Sequence, residues 1–460
     1  MKLIIIVSDT FRYDHIGANG NQWIKTPELN ALASESVLFE RQYTASFPTI
    51  PQRTDLMTGR YTFGFRGWTR LMSEDVMLAE VLKEAGYGTQ LIADTSHLIR
   101  SNFSRGFDGW FISRGQEGDI PFTRFNYDYP ERISDPTKSR LRTAPTGEEI
   151  PFPNLNAWIN REWSWEEDRF PAVTARHVSK WLEENYRRDN FFLWVDMFDP
   201  HEPWNPPEYL VDLYDPDYEG PPMLHPNYGH ASDYTDAELN NLKAHYAAEV
   251  TLVSKWIGHI LRKIEDLQIE DDTIVVFTTD HGMYLGEHDR TGKSNINDND
   301  QRGAWPLYEQ ITHIPLMIRV PGGRRGRCDA MIQPPDIMPT VLDLLGVEIP
   351  SCVHGESFAR LLKDPRADWS REYVFSSRGL PDEPMDLAGP TVRNARWSLH
   401  IQLDENRPHE LYDLDSDPQE TDNVFDDNPE VATRLKEALV SHLQEIEAAP
   451  EKIAVVREAF

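Results

Sequence analysis

The chain is poor in the features that would send it out of the cell, into a membrane or onto a polyanion. It has two cysteines, Cys328 and Cys352, too few for a disulfide framework. No apolar run approaches the roughly 18 to 20 residues that a membrane span requires. Only Met1 and Lys2 precede the first apolar run, Leu3–Val7, which leaves no room for a signal peptide's charged and apolar regions and its cleavage site. A cytoplasmic protein is expected. Lys and Arg number 46 against 76 Asp and Glu, a formal net charge of −30. That balance excludes a nucleic-acid or anionic-membrane partner, because such a footprint needs an excess of cations. An anionic ligand must therefore find a local positive pocket. No internal repeat is present.

What is present is a long chain with enough apolar content, 460 residues at 39% hydrophobic, to bury a large core. Short apolar runs alternate with amphipathic segments of helical length, which predicts an α/β fold: a large, mostly parallel sheet flanked by helices. Strands are predicted at Leu3–Val7, Thr89–Ala93, Phe191–Val195, Thr273–Thr278 and Pro315–Val320. Helices are predicted at Pro27–Leu38, Asp75–Ala85 closed by Gly86, Val173–Glu184, Asp236–Leu267 and Pro335–Leu345. Two stretches rich in Pro and aromatic residues, Phe111–Phe170 and Pro203–Tyr234, lack a sustained period and read as excursions from the sheet. A boundary near Asp364–Trp369 divides a catalytic domain, 1–366, from a small α+β subdomain, 367–460. The latter has strand-like runs at Tyr373–Ser376 and Trp397–Gln402 and a helix around Glu430–Ile446.

Polar residues follow the predicted strands in a regular way. Asp9 follows the first, Asp94 and His97 the second, Asp196 to His201 the third, and Asp280 with His281 the fourth. Carboxyl ends of parallel strands gather along one edge, where ligands bind. A single Asp after a strand usually only opens a turn or caps a helix; four such positions in succession, two with histidines, point to a site. Asp9, Asp280 and His281 offer two hard oxygen ligands and an imidazole to one divalent cation. The oxygens suit calcium or magnesium, and the histidine tilts the set toward manganese or another transition ion.

The segment Ser46–Arg60 is the second informative stretch. Pro51 and its followers read as the first turn of a helix with Thr49 at its cap. A structural cap is the plain reading. The functional one places the Thr49 hydroxyl where free backbone N–H groups and the helix dipole favour an anion, with Arg53 gripping that anion's oxygens.

Several motifs together resemble the sulfatase branch of the alkaline phosphatase superfamily. Thr49-Ile50-Pro51-Gln52-Arg53 followed by Thr58-Gly59-Arg60 is close to its C/S-x-P-S-R…T-G-R pattern, and Asp9-Thr10-Phe11-Arg12 resembles its opening metal motif. Asp199-Pro200-His201-Glu202-Pro203-Trp204 is similar to its Pro-His-x-Pro-Trp element, and Asp280-His281-Gly282…Gly286-Glu287-His288…Gly292-Lys293 to its Asp-His-Gly…Gly-Lys stretch. The resemblance implies one divalent ion, calcium or manganese, on Asp9, Asp280 and His281, with Thr49 as nucleophile and Arg53 and Lys293 as anion holders. It further implies that His201 faces the leaving group and that His97 handles the covalent intermediate, and it leaves a homo-oligomer open, since relatives commonly form dimers or tetramers.

Three departures bear on the substrate. Sulfatases mature a cysteine or serine into formylglycine, and Thr49 cannot form that aldehyde because its β-carbon carries a methyl group. Thr95 replaces a lysine that helps hold sulfate, a change that phosphonate monoester hydrolases tolerate. Thr10 replaces a second aspartate, so the two losses leave the formal charge of the site unchanged. The expected activity is hydrolysis of a small anionic ester through Thr49, with a preference for phosphodiesters or phosphonate monoesters. A sulfuric ester hydrolase using plain threonine and an anion-binding pseudo-enzyme are the alternatives. A two-metal phosphodiesterase would need a second Asp/His set, which the sequence does not supply. Trp68, Trp204 and Trp305 are open between ring-stacking and core roles.

Overall fold

In the computed structural model, the described residues are 1–120, 138–139, 141–143, 147, 149–293, 295–298, 301–380, 389–404 and 406–460. Their centre is an eight-stranded sheet: β1 (Lys2–Ser8), β2 (Val37–Tyr43), β3 (Gly88–Ala93), β4 (Gly109–Ile112), β5 (Phe191–Met197), β6 (Thr273–Thr279), β7 (His313–Arg319) and β8 (Gly326–Ile332). They lie side by side as β8-β2-β7-β6-β1-β5-β3-β4. β7 runs antiparallel to both of its neighbours, and all other pairs are parallel.

β1 is buried along its whole length, as a central strand covered on both faces must be. Alternate residues feed opposite cores: Ile4 and Ile6 pack under the helices Phe170–Asn185 and Asp236–Asp266, and Leu3, Ile5 and Val7 pack on the other face with Ile50, Leu56 and Met338. The 31-residue helix Asp236–Asp266 opens with a capping box, in which Thr235 and Glu238 satisfy each other's backbone N–H groups.

The five predicted strands are found with small shifts at their ends. The predicted helix Pro27–Leu38 stops at Glu35, because Ser36 is extended and Val37 and Leu38 begin β2. The helix expected from Asp75 starts at Leu78. Asp75 instead accepts hydrogen bonds from Arg66 and the Met72 amide. Strands β2, β4 and β8 are additions.

The C-terminal part holds a four-stranded antiparallel sheet, β9 (Val374–Ser376), β10 (Thr391–Arg393), β11 (Trp397–His400) and β12 (Glu410–Asp413), in that spatial order. The helix Pro429–Glu445 packs on it. Its core also takes in Ala45, Tyr61 and Phe63 from either side of the helix Thr49–Thr58, and Ser46 bridges Ser377. No helix among the described residues is long and apolar enough to cross a membrane.

Candidate active site

Strand register builds the centre of the site. Ser8 pairs with Thr279 on one side and Met197 on the other, so Asp9 and Asp280, one residue further, emerge side by side. The Asp9 amide donates to the Met197 carbonyl at 2.8 Å. Asp9, Asp280 and His281 each present a ligand atom within 4.8 Å of the others, and all three are buried. Gly282 permits the turn that follows, since a Cβ there would lie 2.0 Å from the Gln310 carbonyl oxygen. Thr10 adopts φ 62, a strained region for a β-branched residue. It is held by its amide donating to Asp280 Oδ1 (2.9 Å), its hydroxyl to Asp9 Oδ1 (2.6 Å), and the Tyr246 hydroxyl donating to its carbonyl (2.8 Å).

These residues fit a divalent cation. His281 Nδ1 lies 2.8 Å from the Gly282 carbonyl, so that nitrogen carries the proton and Nε2 keeps its lone pair. Buried His281 Nε2 has no hydrogen-bond partner, a costly arrangement unless a cation meets it, and Asp9 Oδ2 makes no hydrogen bond beyond its ion pair with Arg53 Nη1 at 3.1 Å. Burial, with Lys293 and Arg53 adding to it, lowers His281 to about 4 and keeps it neutral. Burial and the neighbouring Asp280 push Asp9 upward, whereas Asp280, although as deeply buried, is held low by His281 and Arg53. No second group of this kind occurs among the described residues, and Asp196 and Asp199 at the end of β5 are taken up by Arg53 and by the Gln116 side chain.

The helix Thr49–Thr58 is buried at all ten positions. Its cap is Pro48, so Thr49 is the first helical residue and not the cap expected of it. The helix is fixed by Asp55, which accepts from the Ser46 amide and hydroxyl and from the Thr62 amide. Arg53 is fully buried and pairs with Asp196 through Nε and Nη2 at 2.9 and 2.8 Å. Its Nη1 reaches Asp280 at 2.7 Å, Asp9 at 3.1 Å and the Thr49 carbonyl at 3.2 Å. Arg53 thus organises the carboxylates beneath Thr49.

Thr49 lines a cavity of about 190 Å³ with Phe47, Trp68, His97, Phe198, His201 and Lys293. The structure therefore brings together the eight residues to which the resemblance gives a role: Asp9, Asp280, His281 and Arg53 below, and Thr49, His97, His201 and Lys293 around the cavity. Lys293 Nζ lies 3.3 Å from Glu202 Oε1, and its charge acts on both His281 and His201. His201 stacks on Phe198 at 4.1 Å and its Nδ1 lies 2.6 Å from the Glu202 carbonyl. Burial, assisted by Lys293 against the pull of Glu202, lowers it to about 4. Thr95 caps the helix Ser96–Arg100 by accepting from the His97 amide at 3.3 Å.

Two residues that sequence reasoning passed over join the site, and Asp196, noted there only as one of the polar residues after a strand, takes a definite role. Glu117 lines the cavity and lies 2.6 Å from His97 Nε2. Tyr228 lines it as well, its hydroxyl donating to Glu202. Asp196 holds Arg53. Both excursions thus contribute to the cavity wall, although positions 121–137 of the first lie outside the described residues. Of the three open tryptophans, Trp204 is core, with its indole N–H donating to the Pro200 carbonyl. Trp305 lies under the Arg290 guanidinium at 3.7 Å. Trp68 lines the cavity and is 49% exposed.

Comparison with known proteins decides the family. The family model described as "Sulfatase" matches residues 2–347, and that for "N-sulphoglucosamine sulphohydrolase, C-terminal" matches residues 300–449. The chain belongs to the sulfatase family. The family is part of the alkaline phosphatase superfamily, its enzymes bind a divalent metal ion, and this member is a hydrolase of ester bonds. The sulfatase-family chain is 27% identical to an arylsulfatase of Clostridium perfringens over 96% of its own length and 94% of the relative's. Among solved structures it resembles the phosphonate monoester hydrolase of Agrobacterium radiobacter, at TM-score 0.72 and 21% identity over 97% and 96% of the two chains. A structure of BT4656 in complex with its substrate D-glucosamine-2-N,6-O-disulfate gives the same TM-score, 0.72, at 20% identity over 98% and 99%.

Proposed function

We propose that this sulfatase-family protein is a metal-dependent hydrolase that splits an oxyanion ester through a covalent intermediate on Thr49, preferring phosphodiesters or phosphonate monoesters to sulfate esters. The observation that carries the reading is the position of Thr49, which opens a wholly buried helix and lines the same cavity as Lys293, His97 and His201. Asp9, Asp280 and His281 would hold one divalent ion, calcium or manganese. Bound there, it supplies positive charge that eases loss of the nucleophile's proton. The protein's own groups do the rest. Arg53 fixes the carboxylates and the helix start, and Lys293 offsets charge on the reacting group. Thr49 Oγ, its proton released to solvent, attacks sulfur or phosphorus as the bond to the leaving oxygen breaks, and that oxygen takes from His201 a proton drawn from solvent when the anion binds. His201 is neutral at neutral pH in the free protein, and the charge of a bound anion favours its proton uptake.

The phosphoryl preference is supported by the methyl group on the Thr49 β-carbon, which closes the formylglycine route, and by Thr95, whose hydroxyl caps a helix where a lysine would reach for sulfate. The likeness to a phosphonate monoester hydrolase agrees with it. The sulfatase names of other relatives favour the second reading, a sulfate ester hydrolase working through plain threonine. A catalytic part at 1–366, a subdomain at 367–460 and a cytoplasmic location belong to the same proposal, the last supported by the two free thiols.

The test is turnover of nitrophenyl sulfate, phosphate monoester, phosphodiester and phosphonate by protein supplied with manganese or calcium, beside Thr49→Ala. The expected result is faster turnover of a phosphoryl ester than of sulfate, lost by about 1,000-fold or more in the variant. Undiminished activity in the variant would remove Thr49 as nucleophile, and faster turnover of sulfate would establish the second reading.

A further inference from the structure

The cavity holds a pairing that nothing in the chemistry so far requires. His97 Nε2 lies 2.6 Å from Glu117 Oε2, and both residues line the cavity with Thr49. Their side chains are 29% and 14% exposed. The imidazole is flanked by Trp68, edge-on at 5.9 Å, and Phe198 at 5.8 Å. Its backbone amide is anchored on Thr95. Among the described residues His97 Nδ1 makes no hydrogen bond.

Glu117 is held in place at a conformational cost. It adopts φ 50 between Gly115 at φ 122 and Gly118 at φ 74, and a glutamate in the left-handed region is disfavoured. The turn is tied down next door by Gln116, whose side-chain amide donates to the buried carboxylate of Asp199. Backbone strain kept by a buried anchor, with a carboxylate delivered to a histidine, is a recurrent way of orienting a base.

We propose that Glu117 is a positioning residue that makes His97 the general base for the second half of the reaction, water attack on the Thr49 ester. The inference rests on the Thr49 reading. A threonine ester cannot be released by expulsion from an aldehyde hydrate, so a water molecule must form the new bond at sulfur or phosphorus. His97 Nδ1 takes a proton from that water as its oxygen bonds to the reacting centre. The bond to Thr49 Oγ breaks, and the departing oxygen takes a proton back from the imidazolium. The anion leaves with the water's hydroxyl, and His97 is again neutral. Throughout, Nε2–H donates to Glu117, which fixes the tautomer and stabilises the transient positive charge.

The experiment is pre-steady-state release of nitrophenol from nitrophenyl sulfate and nitrophenyl phenylphosphonate by wild type, Glu117→Gln, His97→Asn and the double variant. Mass measurement of the Thr49 peptide from acid-quenched samples accompanies it. The expected result for Glu117→Gln is an initial burst at the wild-type rate, a steady state slowed by about 100-fold, and a Thr49 peptide that gains one sulfuryl or phosphonyl group. The double variant should be no slower than His97→Asn alone, because the two residues act as one. A steady state unchanged in Glu117→Gln, a burst slowed together with it, or additive losses in the double variant would overturn the role of Glu117. Absence of the adduct from wild type and all variants, with turnover intact, would instead remove Thr49 as the covalent residue and this inference with it.

Discussion

The site has two halves built by different means. Asp9, Asp280, His281 and Arg53 have no solvent exposure; parallel register fixes the spacing of the first three, and Arg53 reaches them from the buried helix Thr49–Thr58. His97, Glu117, Tyr228 and Trp68 sit on a short helix, a three-residue turn and loops, and Trp68 is open to solvent. The first half is where charge must be concentrated and water kept out, so it is set by the stiffest part of the fold. The second half comes from segments outside the sheet, which can change without disturbing it.

The sharpest way to break this contrast is to damage the rigid half. Asp280→Asn should abolish manganese binding in a calorimetric titration and cut turnover by about 1,000-fold or more; retained turnover would show that the rigid half is scaffold alone. Asp196→Ala should leave the Arg53 guanidinium buried with half its partners gone, lowering stability by about 3–5 kcal/mol in chemical denaturation. A loss below about 1 kcal/mol would mean that Asp9 and Asp280 suffice to hold it.

A pH test addresses the border between the halves. Burial pushes Asp94 up to about 7 from an ordinary 3.8, against hydrogen bonds from the Phe198 amide and Thr174 hydroxyl. The folded state therefore holds a proton there that the unfolded chain releases. Its contribution to stability is complete below pH 3.8 and is lost as pH rises through about 7. Asp94→Asn should flatten thermal stability across that window by at least about 1 kcal/mol relative to wild type; an unchanged slope would show that Asp94 is ionised in the folded protein. The mildest effect belongs to the open half. Trp68→Ala should raise KM for a nitrophenyl ester by roughly 2- to 10-fold, the worth of one ring contact, with Tm unchanged. A fall in Tm would make Trp68 part of the core.

The same division decides what was legible in the sequence. A central strand with both faces covered reads as an unbroken apolar run, so β1, β5 and β6 and the polar residues at their ends could be found directly. β2 carries Glu40 and Arg41 and follows a helix without a break signal, β8 alternates charged and apolar residues at the sheet edge, and β4 has only four residues. None of them shows the pattern of a buried strand. Glu117 was illegible for a related reason. Its role depends on a left-handed turn and a partner 20 residues away, and the only local signal is the pair of flanking glycines. Tyr228 gave none. Arg53 was found as a residue, but its attachment to Asp196 depends on two strands being neighbours in space.

The helix that carries Thr49 has no wet face. A helix with one exposed side can absorb substitutions there and drift, altering its ends by small steps. Here each of ten side chains is packed, so the helix has little room to drift, and the place of the side chain at position 49 is fixed with it. On the Thr49 reading proposed above, the type of reaction is then carried by one small side chain in an otherwise immobile element.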